Sequence, residues 1–181
     1  MGTMTVPAPS QARTAASAAA REGRFLSHTV SSITTSAGGI AFNNYGTFNR
    51  STATGTAQVG VTFNNSGIVN VQSGTLSFIN SYSQTAGSID LNGGSVSISS
   101  PLSIQGGTLG GSGNITGDVS VGSSGAVDIE LGGTSPGTGA SNYDQLNISG
   151  SATLSGTLTV TLGGGFTPSI GDSFTIMIFA S

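Results

Sequence analysis

The sequence predicts an all-β fold: a right-handed parallel β-helix, or β-solenoid, over residues 40–181, preceded by a short Ala-rich leader, helical or disordered, over residues 1–39. Three observations predict it. A five-residue unit, Gly-x-apolar-x-apolar, recurs as Gly67-Ile68-Val69-Asn70-Val71, Gly74-Thr75-Leu76-Ser77-Phe78, Gly87-Ser88-Ile89-Asp90-Leu91 and Gly125-Ala126-Val127-Asp128-Ile129. Alternation at a period of two puts the apolar side chains on one face of a strand. Successive glycines lie too close together for a helix between strands, which excludes an α/β fold. Second, Phe42-Asn43-Asn44-Tyr45-Gly46 returns as Phe63-Asn64-Asn65-Ser66-Gly67, a step of about 20 residues, the length of one solenoid coil. Third, only 6% of the 181 residues are charged, while 35% are hydrophobic and 30 are Gly. Disordered chains combine low hydrophobicity with high net charge; here the apolar content can fill a core, and small hydroxyl and amide side chains suit tight turns.

Along the chain, the leader comes first. Pro7 and Pro9 make its start extended. Ser10 can cap a short helix running through Ala12, Ala15, Ala16, Ala18, Ala19 and Ala20 to Arg24. About 14 residues alone are marginal as a helix in water. The leader is therefore read as a frayed linker or as a helix covering the first rung, since a solenoid end exposes core and strand edges unless it is covered. No leucine-like run suggests a secretory signal, and no apolar run approaches the ~18 residues of a membrane span. Val6 stands where myristoylation needs Ser or Thr.

From residue 40 the glycine-led strands take over. One coil has too little apolar surface to fold alone, but stacked coils share a core and satisfy each other's backbone. Asn pairs recurring at one corner can form amide ladders. A sandwich and an antiparallel barrel are the competing all-β arrangements; the regular repeat with its Asn step favours the solenoid.

Three segments resemble the repeats of bacterial autotransporter-type and adhesin-like β-helix surface proteins: Phe63-Asn64-Asn65-Ser66-Gly67-Ile68-Val69-Asn70-Val71-Gln72-Ser73-Gly74-Thr75-Leu76, the Gly-rich stretch from Gly106 to Val119, and the stretch from Tyr143 to Leu158. The tail Gly171-Asp172-Ser173-Phe174-Thr175-Ile176 fits the same pattern. The resemblance spans about residues 40–181. It implies export and an extracellular or cell-surface location, with the solenoid as a stalk. Such chains usually carry an export signal and continue to an anchor or a translocating barrel. This one shows no signal and stops at Ser181, so it is expected to be a fragment or a truncated gene product.

Charge and chemistry narrow the function further. The basic groups Arg13, Arg21, Arg24 and Arg50 all lie in the first 50 residues, whereas Asp90, Asp118, Asp128, Glu130, Asp144 and Asp172 follow without a base. A nucleic-acid binder needs a basic stripe, so no nucleic-acid partner is expected. With no Cys there is neither a thiol nucleophile nor a disulfide framework. The single histidine, His28, has no acid near it in sequence and reads as a solvent-exposed or capping residue. Asp128 and Glu130 share a strand face about 7 Å apart, within reach of glycosidase geometry. However, the solenoid lacks Lys, His and Trp to hold a sugar, and Arg50 is its only cation. The two acids are expected to face solvent, opposite Val127, Ile129 and Leu131. No catalytic residue, cofactor or enzymatic activity is expected.

Calcium is the better-supported ion, with Asp118, Asp128, Glu130 and Asp144 as oxygen donors, but the nonapeptide calcium repeat is absent and no metal site is assigned. Thr157, Thr159 and Thr161 form a Thr-x-Thr-x-Thr face, echoed only by Thr52, Thr54 and Thr56, and read as a polar outer strand face. Gly163-Gly164-Gly165 lacks the Lys-Ser/Thr of a phosphate loop. The uncharged, β-prone segment Phe174-Thr175-Ile176-Met177-Ile178-Phe179 is either the last buried strand or a sticky edge for end-to-end self-association. Taken together, these features point to a structural or adhesive stalk of a bacterial surface protein that associates end to end into fibres. A glycan- or ice-binding module using the Ser/Thr/Asn-rich face is the alternative, with a carbohydrate-active enzyme less favoured.

Overall fold

A computed structural model of the chain describes residues 4–5, 25–27, 32–35, 41–51 and 54–180. Among them all regular structure is β. The first coil carries β1 (Met4–Thr5), β2 (Phe25–Ser27), β3 (Ser32–Thr35) and β4 (Ala41–Asn44). Next come β5 (Thr47–Arg50), β6 (Thr56–Val59), β7 (Thr62–Asn65), β8 (Ile68–Val71), β9 (Thr75–Phe78) and β10 (Tyr82–Gln84). The longer β11 (Ser88–Ile98) and β13 (Gly107–Thr116) alternate with β12 (Leu102–Ile104) and β14 (Val119–Val121). β15 (Gly125–Leu131), β16 (Leu146–Leu154), β17 (Thr157–Leu162) and β18 (Met177–Ala180) complete the chain.

From β2 onward each strand pairs in parallel with its counterpart one coil away, which builds three columns of strands around one core; β1 alone lies antiparallel, along β3. The first column runs β2, β5, β8, β11, β13, β15, β17. The second runs β4, β7, β10, β12, β14 and the far half of β16. The third runs β3, β6, β9, then the second halves of β11 and β13, the first half of β16, and β18. This is the parallel solenoid that the repeat predicts. Its sheets reach back into the segment read from sequence as leader, because β2 and β3 pair with β5 and β6. The proposed Ala-rich helix lies outside the described residues.

The alternation decides what is buried. In the first column Phe48, Val69, Ile89, Leu109 and Val127 stack inward, each buried. In the third, Ala57, Leu76, Val96, Ile115 and Ile148 do the same. Aromatic rings fill the wide early coils of the second column: Phe63 stacks on Phe42 at 5.0 Å and on Tyr82 at 5.7 Å between ring centroids. Later coils replace rings with Leu102 and Val119.

Glycine marks the corner leading into the first column. A Cβ on Gly67 would collide with the carbonyl of Gly46, one on Gly87 with that of Gly67, and one on Gly107 with that of Gly87. Gly87 also sits at φ +71°, where a side chain is strained whatever the space.

Candidate functional site

The solenoid offers three kinds of surface: polar outer columns, a loop-bearing corner and an open end. The outer positions of the first column line up as Asn49, Asn70, Asp90, Gly110, Asp128 and Thr159. Asn70 donates from Nδ2 to Asn49 Oδ1 at 2.9 Å. Asp90 and Asp128 are two coils apart, with Gly110 between them. A Cβ at Gly110 would lie 3.3 Å from Asp90 Oδ1 and 2.9 Å from the Asp128 backbone carbonyl, so a side chain there would crowd the Asp90 carboxylate and the Asp128 backbone. Burial pushes the Asp90 carboxyl above its usual value; the Ser88 hydroxyl, donating to Oδ2 at 2.7 Å, opposes that, and the charges of Asp128 and Asp144 add to the rise. The sequence reading missed this pair. The signal was present, since both acids occupy the fourth position of the glycine-led unit.

The sequence-selected acids are not gathered. Asp118 Oδ1 accepts from Ser151 N at 2.8 Å and holds the bend inside β16. Asp144 Oδ2 accepts from Glu130 N at 2.9 Å and Oδ1 from Ser112 Oγ at 3.3 Å, fastening the loop between β15 and β16. Asp128 and Glu130 point outward from β15, opposite buried Val127, Ile129 and Leu131. Among the described residues no three His, Cys, Asp or Glu side chains come together as a metal site. His28 lies outside the described residues.

Thr157, Thr159 and Thr161 are exposed on β17, but beneath them stand Ala126, Asp128 and Glu130, so the threonines form a single row. In the second column the outer positions are Asn43, Asn64, Ser83, Ser103, Ser120 and Thr153, an uncharged strip of amides and hydroxyls. Asn64 Nδ2 donates to Asn43 Oδ1 at 2.8 Å.

Inside the same corner runs a buried amide ladder. Asn44 Nδ2 donates to Asn65 Oδ1 at 2.7 Å, and Asn65 Nδ2 donates to Gln84 Oε1 at 3.0 Å. Tyr82 Oη donates to the same Gln84 oxygen at 2.8 Å. Burial holds the Tyr82 phenol far above its usual value, so it stays a donor. In later coils this position becomes Ile104, Val121 and Leu154.

Two long loops leave the opposite corner, between β15 and β16 and between β17 and β18. They are joined by Tyr143 packing edge-on against Phe174 at 5.3 Å and by Gln145 Nε2 donating to the Thr175 carbonyl at 2.6 Å, while Phe174 packs on Phe166 at 6.0 Å within the second loop. Gly163-Gly164-Gly165 opens the second loop, with Gly164 and Gly165 at positive φ, and leads into another turn rather than a helix.

The third surface is the end formed by β17, β18 and the far half of β16. Here the core columns emerge uncovered: Leu154, Leu158, Val160, Leu162 and Phe179 are each about half exposed, with Ile178 beside them. Phe174 and Ile176, by contrast, pack partly against the core, so the sticky-edge segment divides between a buried part and an exposed part.

No protein-family model matches this chain, and no curated protein or solved structure matches it either. Among the described residues no helix is long and apolar enough to cross a membrane.

Proposed function

We propose that the chain is a rigid spacer of a bacterial surface or extracellular protein, working as a structural or adhesive segment rather than as an enzyme. The observation that carries this reading is the unbroken stack: three parallel columns, an internal amide ladder from Asn44 to Gln84 and the Phe42–Phe63–Tyr82 stack all run along one axis. Each coil adds about 4.8 Å of length with its backbone bonded to the next, so length and stiffness grow together. Stiffness is what a stalk supplies.

The uncharged Asn43–Thr153 strip favours a second reading within the same class, in which surface glycans are the adhesive target, since amides and hydroxyls can exchange hydrogen bonds with sugar hydroxyls. Small-angle scattering tests the spacer: the seven strands of the first column span about 29 Å at that rise, so a uniform particle with that axial length is expected, and a heterogeneous one refutes it. Surface proteolysis of the producing cells tests the location, and a glycan array tests the strip.

A further inference from the structure

We infer that Arg50 anchors an anion-binding site at the corner between β5 and β6, taking a small oxyanion of the carboxylate or sulfate class. The inference goes beyond the spacer reading and does not depend on it.

The repeat itself marks the residue. In the glycine-led unit the third and fifth positions are apolar and point inward, as Val69 and Val71 do in Gly67-Ile68-Val69-Asn70-Val71. One coil earlier the unit reads Gly46-Thr47-Phe48-Asn49-Arg50, in the same register but with a guanidinium at the fifth position. The inward row continues from Arg50 to Val71 and Leu91, both fully buried. Arg50 itself is only 5% exposed.

The coils around Arg50 supply no compensating charge. Residues 23–89 contain no Asp or Glu. Asp90, two coils on, takes an outward position of β11, on the other face of the sheet. Among the described residues the guanidinium bonds only to backbone carbonyls: Nη2 donates to the Gly55 carbonyl at 2.9 Å and, more distantly, to the Thr54 carbonyl at 3.5 Å. Nε is shut off from solvent and has no hydrogen-bond partner.

An arginine that merely caps an apolar core keeps its nitrogens in water; this one does not. A buried charge without a counter-charge is among the costliest arrangements in a protein, and a stranded charged donor adds to that cost. Burial accordingly pulls the Arg50 guanidinium below its usual pKa. An oxyanion beside Nε removes both faults at once. It brings the missing negative charge and accepts the idle N–H in a charge-assisted bond, the contact for which a guanidinium is best shaped.

The corner has room for it. Gly55 lies at φ +88°, and a Cβ there would meet nothing within 4 Å. Its counterpart two coils on, Gly94, would drive a Cβ into the Val71 side chain. The corner is therefore open beside the guanidinium and closed where the inward row has turned apolar.

The test uses the full 181-residue chain. Equilibrium dialysis against sulfate and, separately, acetate at fixed ionic strength is expected to show one saturable site per chain, for which the two anions compete. Arg50→Met and Arg50→Gln remove the charge, and each is expected to weaken binding by at least about tenfold with an unchanged far-ultraviolet spectrum. Sulfate stabilises any folded chain by exclusion from its surface, so the unfolding midpoint is read as the wild-type gain minus the Arg50→Met gain; a surplus that saturates with concentration is expected for the wild type.

Glucuronate separates the sources of the oxyanion. If it competes with sulfate, the site takes a carboxylate carried on a sugar; if it does not, the site takes a free ion, and both results keep the inference. A folded wild-type chain that binds neither sulfate nor acetate saturably overturns it, and that measurement needs no variant to fold. A folded Arg50→Met or Arg50→Gln chain that binds as tightly as the wild type overturns it as well.

Discussion

Replacing Asn65 by Leu removes the middle rung of the buried amide ladder while nearly preserving volume. Asn65 is 1% exposed. Its Oδ1 accepts from Asn44 Nδ2 at 2.7 Å and from Gly67 N at 3.2 Å. Its Nδ2 donates to Gln84 Oε1 at 3.0 Å and to the carbonyls of Gly67 and Ser88 at 3.2 and 3.1 Å. Several partners keep a second bond after the change. Asn44 retains the Ile68 carbonyl, Gln84 Oε1 retains the Tyr82 hydroxyl, and the Gly67 carbonyl retains Ser88 N. The Gly67 N–H and the Ser88 carbonyl lose the bonds named here. Stranding a buried polar group costs about 1–3 kcal/mol each, so the expected loss is about 2–5 kcal/mol, with added leucine hydrophobicity offsetting the lower end.

Guanidinium denaturation, followed by circular dichroism, measures the loss as a shift in midpoint at constant m-value. Amide hydrogen exchange adds a local reading, because stacked repeats can open one coil at a time. Protection should fall first at residues 65–69 and 85–89. A variant within about 0.5 kcal/mol of wild type, the range of an ordinary surface substitution, would show that the ladder decorates the stack without stabilising it.

Three further outcomes are expected. Phe63→Ala opens a cavity at the centre of the Phe42–Phe63–Tyr82 stack and should cost about 3–5 kcal/mol, read as a lowered denaturation midpoint; Phe63→Leu should cost less. Gly87→Ala places a methyl against the Gly67 carbonyl at positive φ, so it should lower the midpoint by more than the roughly 1 kcal/mol of an ordinary substitution, whereas Ala86→Gly beside it, on an exposed residue, should change little.

Asp90 sets a pH dependence. Its carboxyl is raised in the folded chain above 3.8, so the folded state binds the proton more tightly than the unfolded state does. Stability should therefore fall as pH rises from about 3.8 through the higher folded value, and be lower at neutral pH than in mild acid. Asp90→Asn should raise the neutral-pH midpoint and flatten that slope; an unchanged slope would remove Asp90 as its source.

Much of the solenoid was legible because its signals are local. The unit Gly74-Thr75-Leu76-Ser77-Phe78 gives strand, face and corner within five residues, and the step from Phe42 to Phe63 gives the coil length directly. The Asn43–Asn64 and Asn44–Asn65 ladders follow from that step, because identical residues one coil apart must meet. Asp90 and Asp128 were harder to see as electrostatic neighbours, since they lie two coils apart with only Gly110, which carries no side chain, between them.

The amino-acid sequence by itself determined the parallel coil, its inward apolar columns and its charge-poor faces, because each depends on spacing along the chain. Tertiary structure alone decided which acids share surroundings, how the two late loops lock together through Tyr143, Phe166 and Phe174, and that the core emerges at Leu158, Val160 and Leu162. Those outcomes depend on what lies on the next coil, or on there being no next coil among the described residues, and an alternating strand pattern reads the same whether or not something covers it.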